Sequence, residues 1–353
     1  MINRIKIIKD NLDDNQALLI TNGPSRLYFT GFQSSAGVLL ITKSSSVFFI
    51  DFRYFEKAKK SIDHIKVVLL SNTLKQINEI LKKEKVTEVF FETAYTTFSV
   101  YKNFEKGLVS KLSTSNKFDK IISDMRSCKC SYELECIKTA QSFTDKTFEY
   151  ILGQIEVGKT ERLIMLDMEF YMRKLGSEGV AFDFIVVSGK NSSLPHGKPT
   201  DKKIESGDFI TMDFGAKFKG YCSDMTRTVA VGTVSEEQRK VYETVLFAQA
   251  EAMRNIKPGA VCKEIDAIAR NIINNSYEGC FGHGLGHSIG IEVHENPNFN
   301  TRCETILKPG MILSVEPGIY IENQFGVRIE DLVYITEDGY ENLTASTKEL
   351  III

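Results

Sequence analysis

DFITMDFGAKFKGYCSDMTRTVAVG, Asp208 to Gly232, holds two alternating segments, Phe209–Phe214 and Tyr221–Val231, on either side of a turn rich in Gly and Lys. That is the pattern of a β-hairpin. Asp213 and Asp224 lie on its two arms at mirrored distances from the turn, so their side chains can converge. Asp is depleted in mid-strand, and two facing carboxylates repel unless a cation lies between them. This stretch alone leaves two readings open, a solvated polar face and a cation site.

The rest of the chain narrows the choice. Its 353 residues leave room for two domains, at roughly 150 residues per domain. A hydrophobic fraction of 42% with 25% charged residues is enough apolar content for a packed core. The net charge of -2 gives no reason to expect a nucleic-acid or anionic-membrane partner. The opening MINRIKIIKDNLDDNQ lacks the apolar region and cleavage site of a secretory signal, and no run approaches the ~18 apolar residues of a membrane span. Seven cysteines, odd in number and irregular in spacing, are expected as reduced thiols in a cytoplasmic protein. Cys128, Cys130 and Cys136 lack a fourth nearby ligand and read as core or surface thiols rather than a zinc site.

Up to about residue 125 short strands alternate with helices. Ala17–Thr21, Val38–Thr42, Ser46–Asp51 and Val89–Phe91 read as strands, Tyr54–Ile62 and Leu74–Lys83 as helices. Asp51-Phe-Arg53-Tyr54 is the notable polar group there, read as a strand end with a local ion pair. Lys120–Cys130 is the expected boundary, giving domains 1–125 and 126–353. A long helix is expected from Ser131 to about Ile155, closed by Gly158, and a second over Glu161–Leu175. Phe182–Ser188 reads as a strand leading to His196, held on a loop between Pro195 and Gly197.

Beyond the hairpin, Ser235-Glu-Glu-Gln238 is a capping box opening a helix to Ile256, and Val261–Asn274 is another helix. In FGHGLGHSIG, residues 281–290, His283 and His287 have helical spacing. Four glycines at roughly 1 kcal/mol each make a helix improbable and suggest close backbone approach to a ligand or metal. Alternation over Ile291–Glu295 puts Glu292 and His294 on one face. Leu313–Glu316, ended by Pro317-Gly318, and the segment from Gly326 form a second hairpin-like pair with mid-strand carboxylates Glu316 and Glu330. Arg328 and Glu330 share a face. Two helices then an acidic hairpin, twice over, suggest a duplicated half-domain.

Asp213, Asp224, Glu316 and Glu330 in one cavity would be strongly destabilised as free anions. Two divalent cations would neutralise them, and four carboxylates with the imidazole of His287 suit Mn²⁺, Fe²⁺, Co²⁺ or Zn²⁺. Such a pair activates water and polarises a carbonyl or phosphoryl oxygen. His196, His283 and His294 would then face the substrate or support the ligands, and Arg328 would orient Glu330. This chemistry is metal-assisted hydrolysis, with peptide and phosphate ester both open as substrates.

SSLPHGKP, GDFITMDFGAKFKGYCSDMTRT, GHGLGHSIGIEVHE, PGMILSVEPGIY and GVRIEDLVYITEDG resemble, in order, the motifs of the pita-bread metallopeptidases, in their Xaa-Pro aminopeptidase (aminopeptidase P) and prolidase branch. The resemblance covers about residues 130–353. It implies an α+β pita-bread catalytic domain of duplicated ααββ halves. It also implies two metal ions, manganese first and Co²⁺, Zn²⁺ or Fe²⁺ as alternatives, on Asp213, Asp224, His287, Glu316 and Glu330. Glu316 would act as general base towards a bridging hydroxide, His294 would steady the oxyanion, and His196, His283 and Arg328 would line the pocket for proline. Tyr28-Phe-Thr-Gly31-Phe with DFRY, residues 51–54, resembles the smaller α/β creatinase-type N-terminal domain. That implies a homodimer, with Arg53 or Tyr54 near the substrate, proline-containing peptides as partners, and neither nucleic acid nor membrane. The expected activity is that of an Xaa-Pro aminopeptidase, favoured by chain length and DFRY. The alternatives are an Xaa-Pro dipeptidase and, from another class, a non-enzymatic binding relative. A methionine aminopeptidase is disfavoured by the size of the N-terminal domain.

Overall fold

The computed structural model describes residues 2–353, with the backbone alone at Ile2. The chain divides into two compact units, one ending at Met125 and the other spanning Arg126–Ile353. In the first, α1 (Ile2–Asp10), β1 (Gln16–Ile20), α2 (Gly23–Thr30), β2 (Val38–Thr42), β3 (Ser46–Ile50) and α3 (Phe52–Ser61) come in order. They are followed by β4 (Lys66–Leu69), α4 (Thr73–Lys83), β5 (Glu88–Phe91), α5 (Phe98–Gly107), β6 (Lys111–Leu112) and α6 (Lys117–Ser127). The six strands form one mixed sheet, β4-β3-β2-β1-β5-β6. β2 is buried along its whole length, as expected of a strand covered on both faces. Asp51 caps α3 and pairs with Arg53 at 2.7 Å.

The second unit has its two halves built alike. Helices α7 (Ser131–Leu152) and α8 (Glu161–Lys174) pack together and precede β7 (Ile185–Ser188), β8 (Phe209–Phe214), β9 (Lys217–Phe218), β10 (Tyr221–Cys222) and β11 (Met225–Ala230). β8 pairs with β11 across a small inserted hairpin, β9/β10. Helices α9 (Glu236–Arg254) and α10 (Cys262–Tyr277) pack likewise and precede β12 (Gly286–Ser288), β13 (Glu295–Phe299), β14 (Ile312–Val315), β15 (Gly318–Ile321), β16 (Phe325–Arg328), β17 (Asp331–Ile335) and β18 (Tyr340–Asn342). β14 pairs with β17 across a second inserted hairpin, β15/β16. The two sheets run β11-β8-β7 and β13-β12-β14-β17-β18.

Alternation along β8 explains how the halves meet. Ile210, Met212 and Phe214 join the core formed with α7 and α8. Phe209 joins the core of the other half, Thr211 bonds the Thr228 hydroxyl and the Gly326 carbonyl, and Asp213 continues the same face into a cavity. A one-residue slip would exchange these faces, so burial fixes the register.

Several expected positions move. Asp224 is not mid-strand. It falls in the break between β10 and β11, and the residue opposite Asp213 is Thr226. Glu316 and Glu330 likewise sit at strand ends, just after β14 and just before β17. Helix α7 starts at Ser131 as expected, with the Cys130 N–H donating to Glu133 Oε2 at 3.1 Å, but stops at Leu152, before Gly158. Residues 291–294 form bends, so Glu292 and His294 do not share a strand face. Three glycines of the run, Gly284, Gly286 and Gly290, lie hard against neighbouring protein, while Gly282 has nothing within 4 Å and lines a cavity. A Cβ at Gly286 would lie 1.9 Å from the Ser314 carbonyl oxygen, and one at Gly284 2.8 Å from that of Phe299.

Arg227 ties the halves together at a fully buried point. Its guanidinium donates to the carbonyls of Thr226, Glu330, Ser346 and Thr347 and pairs with Asp331 at 2.7 Å. Asp331 also accepts Lys348 at 2.6 Å and Asn342 at 3.0 Å. Removing one partner of such a pair leaves an uncompensated buried charge. Asp331→Ala is therefore expected to cost about 3–5 kcal/mol in urea unfolding, and a loss below about 1 kcal/mol would show the pair to be dispensable.

Candidate metal centre

A cavity of about 580 Å³ in the second unit is lined by Asp213, Asp224, His287, Glu316 and Glu330, with His196, His283, His294 and Arg328. All nine residues singled out from the sequence reach it. Each half contributes a pair of acids through the same device: one at the end of a strand entering the inserted hairpin, one at the break leaving it. The Asp224, His287 and Glu330 ligand atoms lie within 4.8 Å of one another. His287 Nε2 stands 3.5 Å from Asp224 Oδ2 and 3.3 Å from Glu316 Oε1.

Hydrogen bonding satisfies only part of this cluster. Asp213 Oδ2 accepts Arg328 Nη2 at 2.7 Å, and Glu330 Oε2 accepts the Thr226 hydroxyl at 2.8 Å. Asp213 Oδ1, Asp224 Oδ1 and Glu330 Oε1 are buried with no donor. Native interiors rarely leave such atoms unmet, and carboxylate oxygens accept divalent cations readily. The donor set fits metal.

The electrostatics agree. Burial pushes Asp213 up, Arg328 pulls it back and Glu316 adds to the rise. Asp224 and Glu330 are driven well above their ordinary values by burial and by the neighbouring carboxylates. Glu316 goes the other way: burial opposes ionisation, but the hydrogen bond and charge of His287, with His283 and Arg328, hold it down to about 2. For His287, burial is outweighed by Glu316 and the pKa rises. Without a cation, Glu316 is favoured as the anion while burial and like charges oppose ionisation of Asp224 and Glu330.

The other side chains differ from expectation in instructive ways. Arg328 does not touch Glu330. It holds Asp213, donates Nε to Thr226 Oγ1 at 3.1 Å, and reaches Glu330 only through that hydroxyl. Its Nη1 donates to the Pro195 carbonyl at 3.1 Å and to Tyr320 Oη at 2.7 Å. Tyr320 Oη in turn meets His283 Nε2 at 2.9 Å, while His283 Nδ1 meets the Gly284 carbonyl at 2.8 Å. The carbonyl requires a proton on Nδ1, so neutral Nε2 accepts from the tyrosine. Both ring nitrogens of His283 are thus engaged, which makes it a wall and an orienter of Tyr320 rather than a free donor to substrate. His294 packs edge-on against His287, ring centres 4.4 Å apart, and is exposed on its far side. Burial and the charge of His287 lower its pKa. His196 is exposed on its loop.

Tyr320 and Thr226 went unread in the sequence. Thr226 stands at the register position opposite Asp213, which a correct pairing of the hairpin would have revealed. Tyr320, within PGIY, carries no such signal.

Residues 135–337 match metallopeptidase family M24. The chain belongs to that family. Residues 4–128 match the creatinase/prolidase N-terminal domain. The M24 chain is 38% identical to a Xaa-Pro dipeptidase of Pyrococcus horikoshii over 99% of both proteins. A Xaa-Pro dipeptidase from Bacillus anthracis superposes with a TM-score of 0.95 at 39% identity, covering 99% of each chain. An X-Pro aminopeptidase from Thermotoga maritima superposes at 0.90 with 35% identity, covering 98% of this chain and all of that one. The M24 family implies divalent metal ions, and the mixed α/β architecture of an N-terminal domain before a pita-bread catalytic domain is that of these prolidases. Among the described residues no helix is long and apolar enough to cross a membrane.

The shifts set a pH dependence for the metal-free protein. Folded-state values raised above the ordinary 3.8 of Asp224 and 4.5 of Glu330 mean that the folded chain keeps protons the unfolded chain has lost. Stability then falls as pH rises above about 4 towards the folded values. His287 acts in the same direction, its contribution lost as pH rises through its raised value. Glu316 is opposite, its contribution present above 4.5 and lost only as pH falls towards about 2. Thermal melts of chelated protein are expected to decline from pH 5 to pH 8, and added Mn²⁺ to raise Tm more at pH 8 than at pH 5. An equal metal effect at both would contradict the assignment of these shifts.

Proposed function

We propose that this chain hydrolyses Xaa-Pro bonds at the N-termini of short peptides, with Asp213, Asp224, His287, Glu316 and Glu330 holding two divalent cations. The observation that carries the reading is the set of three buried carboxylate oxygens without donors, on Asp213, Asp224 and Glu330, in one cavity. Two bound cations would neutralise the four carboxylates, lower the pKa of water and polarise the scissile carbonyl. Carboxylates with one imidazole suit Mn²⁺, Fe²⁺, Co²⁺ or Zn²⁺, and the family resemblance puts Mn²⁺ first among them.

The protein's own groups supply the rest. Glu316 is the carboxylate kept ionised, so it can accept a proton from attacking water. His294, held neutral at neutral pH by its lowered pKa, can donate a ring N–H to the oxyanion that develops on the carbonyl. Arg328 fixes Asp213 and, through Thr226, Glu330. His196, Phe182, Ile185 and Pro195 form a cavity wall of mixed apolar and imidazole character that suits a proline ring.

Dipeptides are the better substrates in this reading. Arg302 lines the cavity, is exposed, and has no side-chain partner among the described residues. A guanidinium so placed favours a proline bearing a free carboxylate. The Xaa-Pro dipeptidase relatives support this, while DFRY and the X-Pro aminopeptidase neighbour speak for the aminopeptidase.

Ala-Pro, Ala-Pro-Ala and Ala-Pro-Ala-Ala, assayed with each of the four metals, test the reading. The dipeptide is expected to be cleaved at least about tenfold more efficiently, and Arg302→Met to remove about tenfold of that preference, as expected for one charge-assisted contact. Asp224→Asn and Glu330→Gln are expected to bring turnover to background. Faster tripeptide cleavage with a neutral Arg302→Met would favour the aminopeptidase. Metal-loaded protein inactive on all three peptides would sink the function.

A further inference from the structure

His294 lies in residues 289–294, which have no regular structure, yet its ring sits edge-on to His287. Something must hold that segment. The group that does so is Glu295, whose side chain is only 5% exposed. Its Oε1 accepts the backbone N–H of Ile291 at 2.9 Å and of Glu292 at 3.2 Å, folding the segment back on itself. Gly290 completes the fit: a Cβ there would stand 2.6 Å from both carboxylate oxygens.

Glu295 is fixed by two buried cations from the segment before α7. Arg126 Nη2 lies 2.5 Å from Glu295 Oε1 and 2.8 Å from Glu292 Oε2. Lys129 Nζ lies 3.4 Å from Glu295 Oε2 and donates to Ser288 Oγ at 2.9 Å, next to His287. The Lys129 backbone is anchored by its N–H to the Gly310 carbonyl at 2.7 Å. From the other side, Cys222 N–H donates to the Gly290 carbonyl at 2.8 Å, two residues before Asp224. Two cations meet two carboxylates, with Glu133 a further negative charge near Lys129, and the contacts of Glu295 and Cys222 gather on the segment between His287 and His294.

We propose that Arg126, Lys129 and Glu295 form a charge clamp that positions His294 against His287 for the reaction. They are positioning residues and touch no reacting atom. The inference rests on the Xaa-Pro peptidase reading for its kinetic consequence, but not for its structural one. A buried ion pair is by itself weak evidence of stabilisation. What distinguishes this one is that its carboxylate is committed to two amides of the loop that carries His294.

The test combines kinetics with amide exchange on the full-length, metal-loaded protein. Glu295→Gln is expected to lower kcat on Ala-Pro by at least about tenfold, the usual cost of losing a supporting partner. KM should change by less than about threefold, and bound metal should stay the same. In a His294→Ala background Glu295→Gln should cost less than about twofold, because the group it positions is gone. Equal losses in both backgrounds would make the clamp merely structural and overturn the proposal. Should Glu295→Gln not fold, Gly290→Ala, which crowds the carboxylate without removing charge, takes its place with the same expectations. Lys129→Arg is expected to restore most of the kcat lost in Lys129→Met. Exchange at the Ile291 and Glu292 amides reads the clamp without activity: protection should fall in Glu295→Gln or Gly290→Ala and hold in Lys129→Arg. Unchanged protection would overturn the clamp whatever the substrate. Lost protection in a protein that cleaves no Xaa-Pro peptide would instead keep the clamp and discard the peptidase reading.

Discussion

Repulsion among four buried carboxylates is the constraint on which the second unit depends. Asp213, Asp224, Glu316 and Glu330 share one cavity, in which Arg328 pairs with Asp213 and His287 lies 3.3 Å from Glu316. Those two groups cover Asp213 and Glu316. They leave Asp224 and Glu330 pushed towards the protonated form and three oxygens without donors. A fold does not gather such groups for stability, because each is costly to bury. The arrangement makes physical sense around multiply charged cations.

Duplication is how the chain achieves the convergence. In each half a long hairpin is interrupted by a short one, β9/β10 or β15/β16. The interruption places one acid where the chain leaves the long hairpin and one where it returns. The seam between the halves is then closed by groups that also position the acids. Thr226 and Thr228 bond Glu330 and the Arg328 carbonyl, and Arg227 grips the Glu330 carbonyl and Asp331. Packing and chemistry share the same residues here.

Much of this was legible in the sequence. Strand pairing, helix pairs, duplication and the four acids with His287 follow from alternation, capping boxes and the rarity of carboxylates in strands. What was not legible depends on contacts far apart in the chain. The insertion of β9/β10 shifts the register, so Asp213 meets Thr226 and not Asp224. Spacing puts Arg328 beside Glu330, but the strand ends at Arg328, Glu330 falls in the break before β17, and Arg328 pairs with Asp213 instead. Gly284, Gly286 and Gly290 signal close approach correctly, and what approaches them, the backbone of Phe299 and Ser314 and the Glu295 carboxylate, is set by residues beyond the run. His283 looks like a donor by residue type, and only tertiary structure shows both its nitrogens engaged.

In the proposed function these carboxylates hold two cations. Anomalous diffraction at the manganese edge, from crystals grown with saturating Mn²⁺, tests it most directly. Two peaks are expected in the cavity, separated by about 3.5–4 Å, flanked by the oxygens of Asp213, Asp224 and Glu330 that lack donors. A single peak, or none, with Asp224 and Glu330 hydrogen-bonded to each other as acids, would contradict it.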